Sequence, residues 1–255
     1  MKCLSMVALA CCLHAAASFG AQKDEITLGG GVHYSEGDYG TGSSTSITAL
    51  TFTGRYDTGQ WSLRGSVPYL FISGSNAVVP GVGRARSGAA TSTSSVAGLG
   101  DVTLAAVYSA YYNAATQLGV DVSGKLKLAT ADPDKRLGTG EHDIGVLAEV
   151  FKGFGRVTAF AGLGYTMFGS TPTFPLDDVF SYTLGASYRL DERDSFGAYY
   201  DERERVTASA APLRELTAFW SRRLDRAWKA QAYLLKGFAN GSPDWGAGLS
   251  AAYSF

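Results

Sequence analysis

The chain ends on a run in which Trp245, Ala247, Leu249, Ala251, Tyr253 and Phe255 alternate with Gly246, Gly248, Ser250, Ala252 and Ser254. A period of two puts the first set on one face of a strand and the second on the other. One face is oily and the other is small and polar, so the strand belongs at a boundary between apolar and wet surroundings. The same rhythm recurs along the chain. It predicts about twelve strands, over residues 25–36, 46–58, 61–71, 101–111, 117–128, 142–151, 156–168, 179–190, 195–206, 213–224, 228–238 and 244–255. Each is near the roughly 9–11 residues that a tilted membrane strand needs.

Segment 117–128 states the consequence most clearly. Leu118, Val120, Val122, Leu126 and Leu128 interleave with Asp121, Ser123, Lys125 and Lys127. Charges on every second residue are intolerable against lipid and must point inward. The expected fold is an all-β, antiparallel transmembrane β-barrel. Connections near Gly59, Gly153, Glu192 and Asp225 are short, whereas 37–45, 72–97 and 129–141 are longer. An even strand number with both chain ends on one side makes the short turns periplasmic and the long loops extracellular. A soluble sandwich gives no reason for such segregation. Pro68 falls on the polar side of its strand, a position that a rim would tolerate. Trp61, Tyr111, Trp228, Tyr253 and Phe255 lie near strand ends, at the depth aromatic rings prefer.

The beginning of the chain reads as a secretory leader. Lys2 is followed by an apolar stretch from Leu4 to Leu13, too short to span a bilayer, and then by small residues ending at Ser18 and Gly20. Residues 1–20 are the expected signal peptide, with cleavage after Ala17 as the fallback, and 21–255 the expected outer-membrane barrel. Cys3, Cys11 and Cys12 all fall in the leader, so an exported barrel carries no thiol chemistry. Glycine, tyrosine and phenylalanine are abundant, at 32, 14 and 13, beside only 18% charged residues. No later stretch approaches the roughly 18 apolar residues of a membrane helix. A net charge of -1 argues against a nucleic-acid partner.

With a register assumed, Arg55, Arg64, Asp121, Lys125, Lys127, Asp143, Glu149, Arg189, Asp201, Arg203 and Arg205 are the expected lumen-lining charges, joined by Glu215 and Lys229. Both signs occur in similar number. They form either a structural network of ion pairs or, through Lys125, Lys127, Arg203 and Arg205, a solute path. Barrels of about eight strands are filled by side chains and those of about sixteen hold a channel, so about twelve falls between. Catalysis finds little footing. His33 is expected inward without an assignable Ser and acid partner, and His142 stands beside Glu141 and Asp143 at the mouth. No catalytic, cofactor-binding or metal-binding residue is assigned, and the chain reads as a non-enzyme.

The segments Gly98-Leu99-Gly100-Asp101, 124–132 and 137–143 resemble the meta-pathway phenol-degradation family of outer-membrane proteins, transporter-like β-barrels. Ala129 and Ala131 stand where the family's pattern has proline and glycine. The C-terminal strand is similar to the one that the outer-membrane assembly machinery reads, with Tyr253 and Phe255 as its signal. The resemblance implies an outer-membrane location, contact with outer-membrane lipid and passive passage of a small solute, aromatic or otherwise hydrophobic, whose identity is open. It implies no cofactor. A closed structural or surface-interaction barrel is the alternative, and a lipid-acting barrel enzyme a third. Gly138 and Gly140 suit a loop re-entering a strand with unusual dihedrals. Asp101 and Asp143 would begin neighbouring inward elements, capping amides or pairing with Lys125 or Lys127.

Overall fold

The computed structural model describes residues 24–84, 92–172, 174–208 and 210–255. The expected leader, residues 1–20, lies outside them. The strands are β1 (Glu25–Gly37), β2 (Thr45–Thr58), β3 (Trp61–Ser75), β4 (Val78–Val79), β5 (Gly83–Arg84), β6 (Thr93–Leu99), β7 (Val102–Asn113) and β8 (Leu118–Leu128). They continue as β9 (Asp143–Phe154), β10 (Val157–Met167), β11 (Val179–Arg189), β12 (Asp194–Arg203), β13 (Leu213–Arg223), β14 (Trp228–Gly237) and β15 (Trp245–Ser254). All but β4 and β5 belong to one 13-stranded antiparallel sheet. The sheet closes on itself where β15 pairs with β1, from Thr27↔Ser254 to Glu36↔Trp245. Closure pairs the long strands on both sides, whereas β6 pairs with β3 alone among the described residues.

β3 pairs with β7 along its first half and with β6 along its second. β6 and β7 are therefore one stave interrupted at Gly100 and Asp101, and the wall has twelve staves. Pro68 is not at the rim. It sits in mid-wall beside this interruption, between the pairs Ser66↔Thr103 and Tyr69↔Leu99, and its carbonyl accepts the Gly100 N–H at 2.8 Å. Proline cannot donate to a ladder, and a broken neighbouring stave is where that loss is tolerated.

Polarity is inverted relative to a soluble core. Phe52, Leu163 and Leu234 are 70%, 72% and 66% exposed on the outer face, while Thr51, Thr103, Asp121, Lys127, Glu149 and Thr217 are buried inside. An exterior of this kind is stable only against lipid or another apolar surface. No helix among the described residues is long and apolar enough to cross a membrane.

The start of β1, the end of β15 and five short turns share one rim, and six longer connections share the other. Three of the short turns use one device. Asn113, Asp191 and Asp225 each accept, on one side-chain oxygen, the N–H groups two and three residues ahead, at 2.7–3.1 Å. The Trp228 and Ala227 amides hold the Asp225 carboxyl below its ordinary range, and those of Asp194 and Arg193 do the same for Asp191. A depressed pKa contributes stability that is present above the unfolded value and lost as pH falls through the folded one. Carboxyl-carbon NMR is expected to show Asp225 titrating below the ordinary aspartate value of 3.8. A midpoint at or above that value removes the turn's electrostatic anchor.

The long connections do not stand out into solvent. β3 runs on to Ser75 because Gly74, at φ 138°, has its hydrogen within reach of the Thr45 Cα and Ser44 carbonyl, where a Cβ would come to 2.5 and 2.6 Å. The bend turns Ser75 inward, and its N–H donates to Thr45 Oγ1 at 3.0 Å. The expected loop 72–97 is thus largely wall at both ends. Its centre folds as the hairpin β4–β5, with Val78↔Arg84 and Val79↔Gly83 in register.

Candidate functional site: a bore half filled and half hollow

The loop-rim half of the bore is packed. Val79 and Val82 of the hairpin meet Phe168, Leu176, Val179 and Val206, all buried. Across the bore, Ile47, Leu70 and Ile72 enclose Ala131 and Leu137, which come from the connection between β8 and β9. Three arginines tie these pieces down. Arg203 Nη1 donates to the Gly81 carbonyl at 2.8 Å and its guanidinium lies 5.7 Å from the Phe168 ring centroid. Arg84 donates to the Gly40 carbonyl at 2.7 Å, and Arg136 to the Ser75 carbonyl at 2.8 Å and to Ser94 Oγ at 2.7 Å. The hairpin is therefore a stopper seated inside the loop rim.

Beside the stopper lies a charge cluster. Lys127 Nζ is 2.9 Å from Asp143 and 3.4 Å from Asp101, and donates to Thr139 Oγ1 at 2.8 Å. Asp101 Oδ1 also accepts the Thr130 and Ala131 amides at 3.1 and 3.0 Å, and Asp143 Oδ1 that of Gly169 at 3.1 Å. This cluster pins the β8–β9 connection against the interrupted stave. Gly140 has a φ of 80°. Gly138 has a different reason, since a Cβ there would come 2.6 Å from Asp101 Oδ2.

Deeper in the bore, inward charges follow the register. Asp121 faces Glu149 across β8 and β9, and Asp201 faces Glu215 across β12 and β13. Like charges directly opposite are unfavourable unless a cation answers them. Arg64 answers Asp121 and Glu149, and Arg203 answers Glu215. Lys125 and Arg64 both sit opposite Ala105, and Arg64 faces Arg55, which is paired with Asp57 at 2.7 Å and Glu25 at 3.6 Å. Thr183 donates to Asp201, while Asp201 Oδ2 and Glu149 Oε2 are buried without a hydrogen-bond partner among the described residues. Arg189 ends β11 at the chain-end rim and is exposed there. Arg205 departs from the expectation. β12 stops at Arg203, and Arg205 is exposed beyond it, because the chain leaves the wall to send Val206 into the packed half.

An aromatic layer separates the two halves, and register explains how it fits. Phe151, Phe160, Phe219 and Tyr233 each stand directly opposite a glycine on the adjacent strand: Gly119, Gly185, Gly197 and Gly248. A methyl group at any of the four would collide with its ring, so the rings lie against the wall over the glycines. Phe160, Tyr199 and Phe219 pack as one buried cluster. His33 is inward as expected, its Nδ1 3.1 Å from the Tyr233 hydroxyl and its ring stacked on Tyr233 at 5.7 Å. His142 Nδ1 accepts the Ala129 N–H at 3.2 Å. Gly185→Ala is expected to cost about 1–3 kcal/mol by overpacking, since Tyr199 Cβ would lie 2.6 Å from the new methyl. Detergent-phase urea unfolding measures the loss, and an unchanged midpoint refutes the close fit.

The chain-end half is hollow. A chamber of about 990 Å³ lies within the short-turn rim, lined among others by Tyr112, Phe151, Phe219, Arg223 and Lys229. A second cavity of about 200 Å³ adjoins it along β1, β2, β3, β7, β14 and β15, with His33, Arg55, Arg64, Lys229 and Tyr233 on its wall. Among the described residues no group of three or more His, Cys, Asp or Glu could hold a metal ion.

A closed wall of twelve staves, oily outside and charged within, is the fold of outer-membrane porins. The KdgM porin superposes with a TM-score of 0.57 at 10% identity, covering 90% of this chain and 99% of that one. The NanC porin gives 0.54 at 8% identity, covering 89% and 98%. No protein-family model matches the chain, and no curated protein matches its sequence.

Proposed function

We propose that this protein is an outer-membrane barrel that passes small solutes passively, with residues 1–20 as its cleaved leader and 21–255 as the barrel. The hollow chain-end half carries this reading: a chamber of about 990 Å³ inside an oily, closed wall has no use in a purely structural stave. The porins it superposes on support the same class. By the rule that chain ends and short turns are periplasmic, the chamber opens to the periplasm and the stopper faces the outside. The ring-lined layer suits an aromatic or hydrophobic solute, in keeping with the resemblance to the meta-pathway phenol-degradation family. Lipid covers the outer face. A closed structural or surface-interaction barrel is the second reading, favoured by the seated stopper.

Labelled phenol or toluene should enter proteoliposomes holding the barrel faster than empty vesicles. Ion-tight vesicles without uptake hand the case to the second reading. The assembly machinery is the other proposed partner. Phe255, 73% exposed, continues the outer aromatic edge with Tyr253 and Trp228 at ring separations of 4.8 and 5.3 Å. Removing Phe255 is expected to lower the amount recovered in outer-membrane fractions several-fold while leaving detergent refolding intact.

A further inference from the structure

The chamber's charge is more than a passage for neutral solutes requires. Five cationic side chains line it, Arg156, Arg189, Arg193, Arg223 and Lys229, against two carboxylates, Asp191 and Glu192. Both carboxylates belong to the turn between β11 and β12, at the rim. Asp191 is already engaged by the amides of Arg193 and Asp194, at 2.7 Å each.

Arg223 and Lys229 are direct register partners where β13 and β14 meet the short-turn rim, Arg223 exposed at the end of its strand and Lys229 half-buried one residue inside. Two like charges at facing positions repel. Neither has an ion-pair partner among the described residues. The carboxylates that act on Lys229 are Glu25 and Asp57, and both are held by Arg55, which is itself a further cation beside Lys229. Lys229 lines both cavities and so stands at their junction. The opposite character comes from Phe151 and Phe219, which give the same chamber an apolar wall.

We infer that the chamber is a binding site for small organic anions with an apolar body, of which an aromatic carboxylate is the simplest. The anionic group lies between Arg223 and Lys229, where it relieves their repulsion, and the ring turns toward Phe219. Charge-assisted hydrogen bonds from two cations supply the affinity, and the rings supply the preference over inorganic anions. The inference rests on the solute-passing reading for its biological meaning, but binding is measurable without passage.

The test uses saturation-transfer NMR on the intact barrel in a zwitterionic detergent, with benzoate, benzyl alcohol and benzylamine as probes. Benzoate is expected to bind best, to weaken by about tenfold in Arg223→Gln/Lys229→Gln, and to be restored in part when arginine takes the second position instead, in Arg223→Gln/Lys229→Arg. Raising salt should weaken benzoate and leave benzyl alcohol unmoved, a readout on the unaltered chain that needs no variant to fold. Equal binding of the three probes, or benzoate binding indifferent to salt and to the double variant, overturns the site. Benzoate binding in a barrel that proves ion-tight and passes no phenol keeps the site and removes the channel.

Discussion

Deleting residues 77–91 and closing the gap with Asn-Gly is expected to turn a poorly conducting barrel into one with large, steady conductance. The graft is geometrically licensed: the Asn76 N–H donates to the Ser92 carbonyl at 2.8 Å and the Asn76 side chain bonds Ser92 and Ser94, so β3 and β6 already meet there as a hairpin would. What leaves is the stopper. Val78, Val79 and Val82 are at most 3% exposed, and each gives about 1.5–3 kcal/mol of burial. Val79 and Val82 belong to the apolar packing that excludes water from the loop-rim half, and apolar constrictions of this kind stop ions by staying dry. The wall is untouched, because the hairpin pairs only with itself. In planar bilayers the shortened protein should show single-channel conductance about tenfold or more above the intact chain. Val79→Asp gives the same direction by another route, since an unpaired carboxylate cannot remain in that cluster. Unchanged conductance in both variants means that Phe168, Leu176 and Val206 seal the rim without the hairpin. The stopper then has no role in passage.

The barrel was legible in the sequence because a closed sheet in lipid repeats one constraint at every stave: oily out, small or charged in. Residues 117–128 alone display it, and β8 carries Asp121, Ser123, Lys125 and Lys127 inward as the alternation requires. For Asp101 and Asp143 the sequence offers amide capping or pairing with Lys125 or Lys127, and both carboxylates cap amides and pair with Lys127. From the sequence, 72–97 is the largest extracellular loop, mobile or folded over the mouth, and a signal for a seated stopper exists. Val78, Val79 and Val82 form an apolar patch inside a Gly- and Ser-rich loop, and such a patch seldom stays in water. Arg205 was misplaced because alternation was carried past the residue where the wall ends. The pairing of four aromatic side chains with four glycines could not be seen from periodicity, since it depends on cross-strand register, which the turns set. The chamber was equally hidden. Composition tells how many charges point inward, not at which level they gather.

Lys127→Met is expected to cost about 3–5 kcal/mol of barrel stability, a large loss for one surface-free substitution. The reason is not the missing attraction but what is left behind. Asp143 is 3% exposed, its side chain 4%, and that of Asp101 11%, so both carboxylates would remain charged, dry and without their cation. Their other hydrogen bonds answer only one oxygen each: Asp101 Oδ1 takes two amides and Asp143 Oδ1 takes one. The oxygens turned toward Lys127 are the ones stranded. The triple variant Lys127→Met/Asp101→Asn/Asp143→Asn separates this account from simple loss of packing. Asparagine keeps a carbonyl oxygen for the amides while removing the charge, and replacing a whole buried ionic group is often near neutral. Urea unfolding in lipid vesicles, followed by tryptophan fluorescence, should place the triple variant within about 1–2 kcal/mol of the native chain and far above the single one. If the triple variant falls as low as Lys127→Met, the cluster is contributing attraction that neutral groups cannot replace. If the single variant loses nothing, the two carboxylates reach water or protons in the barrel, and the β8–β9 connection is held by Leu137 and Ala131 alone.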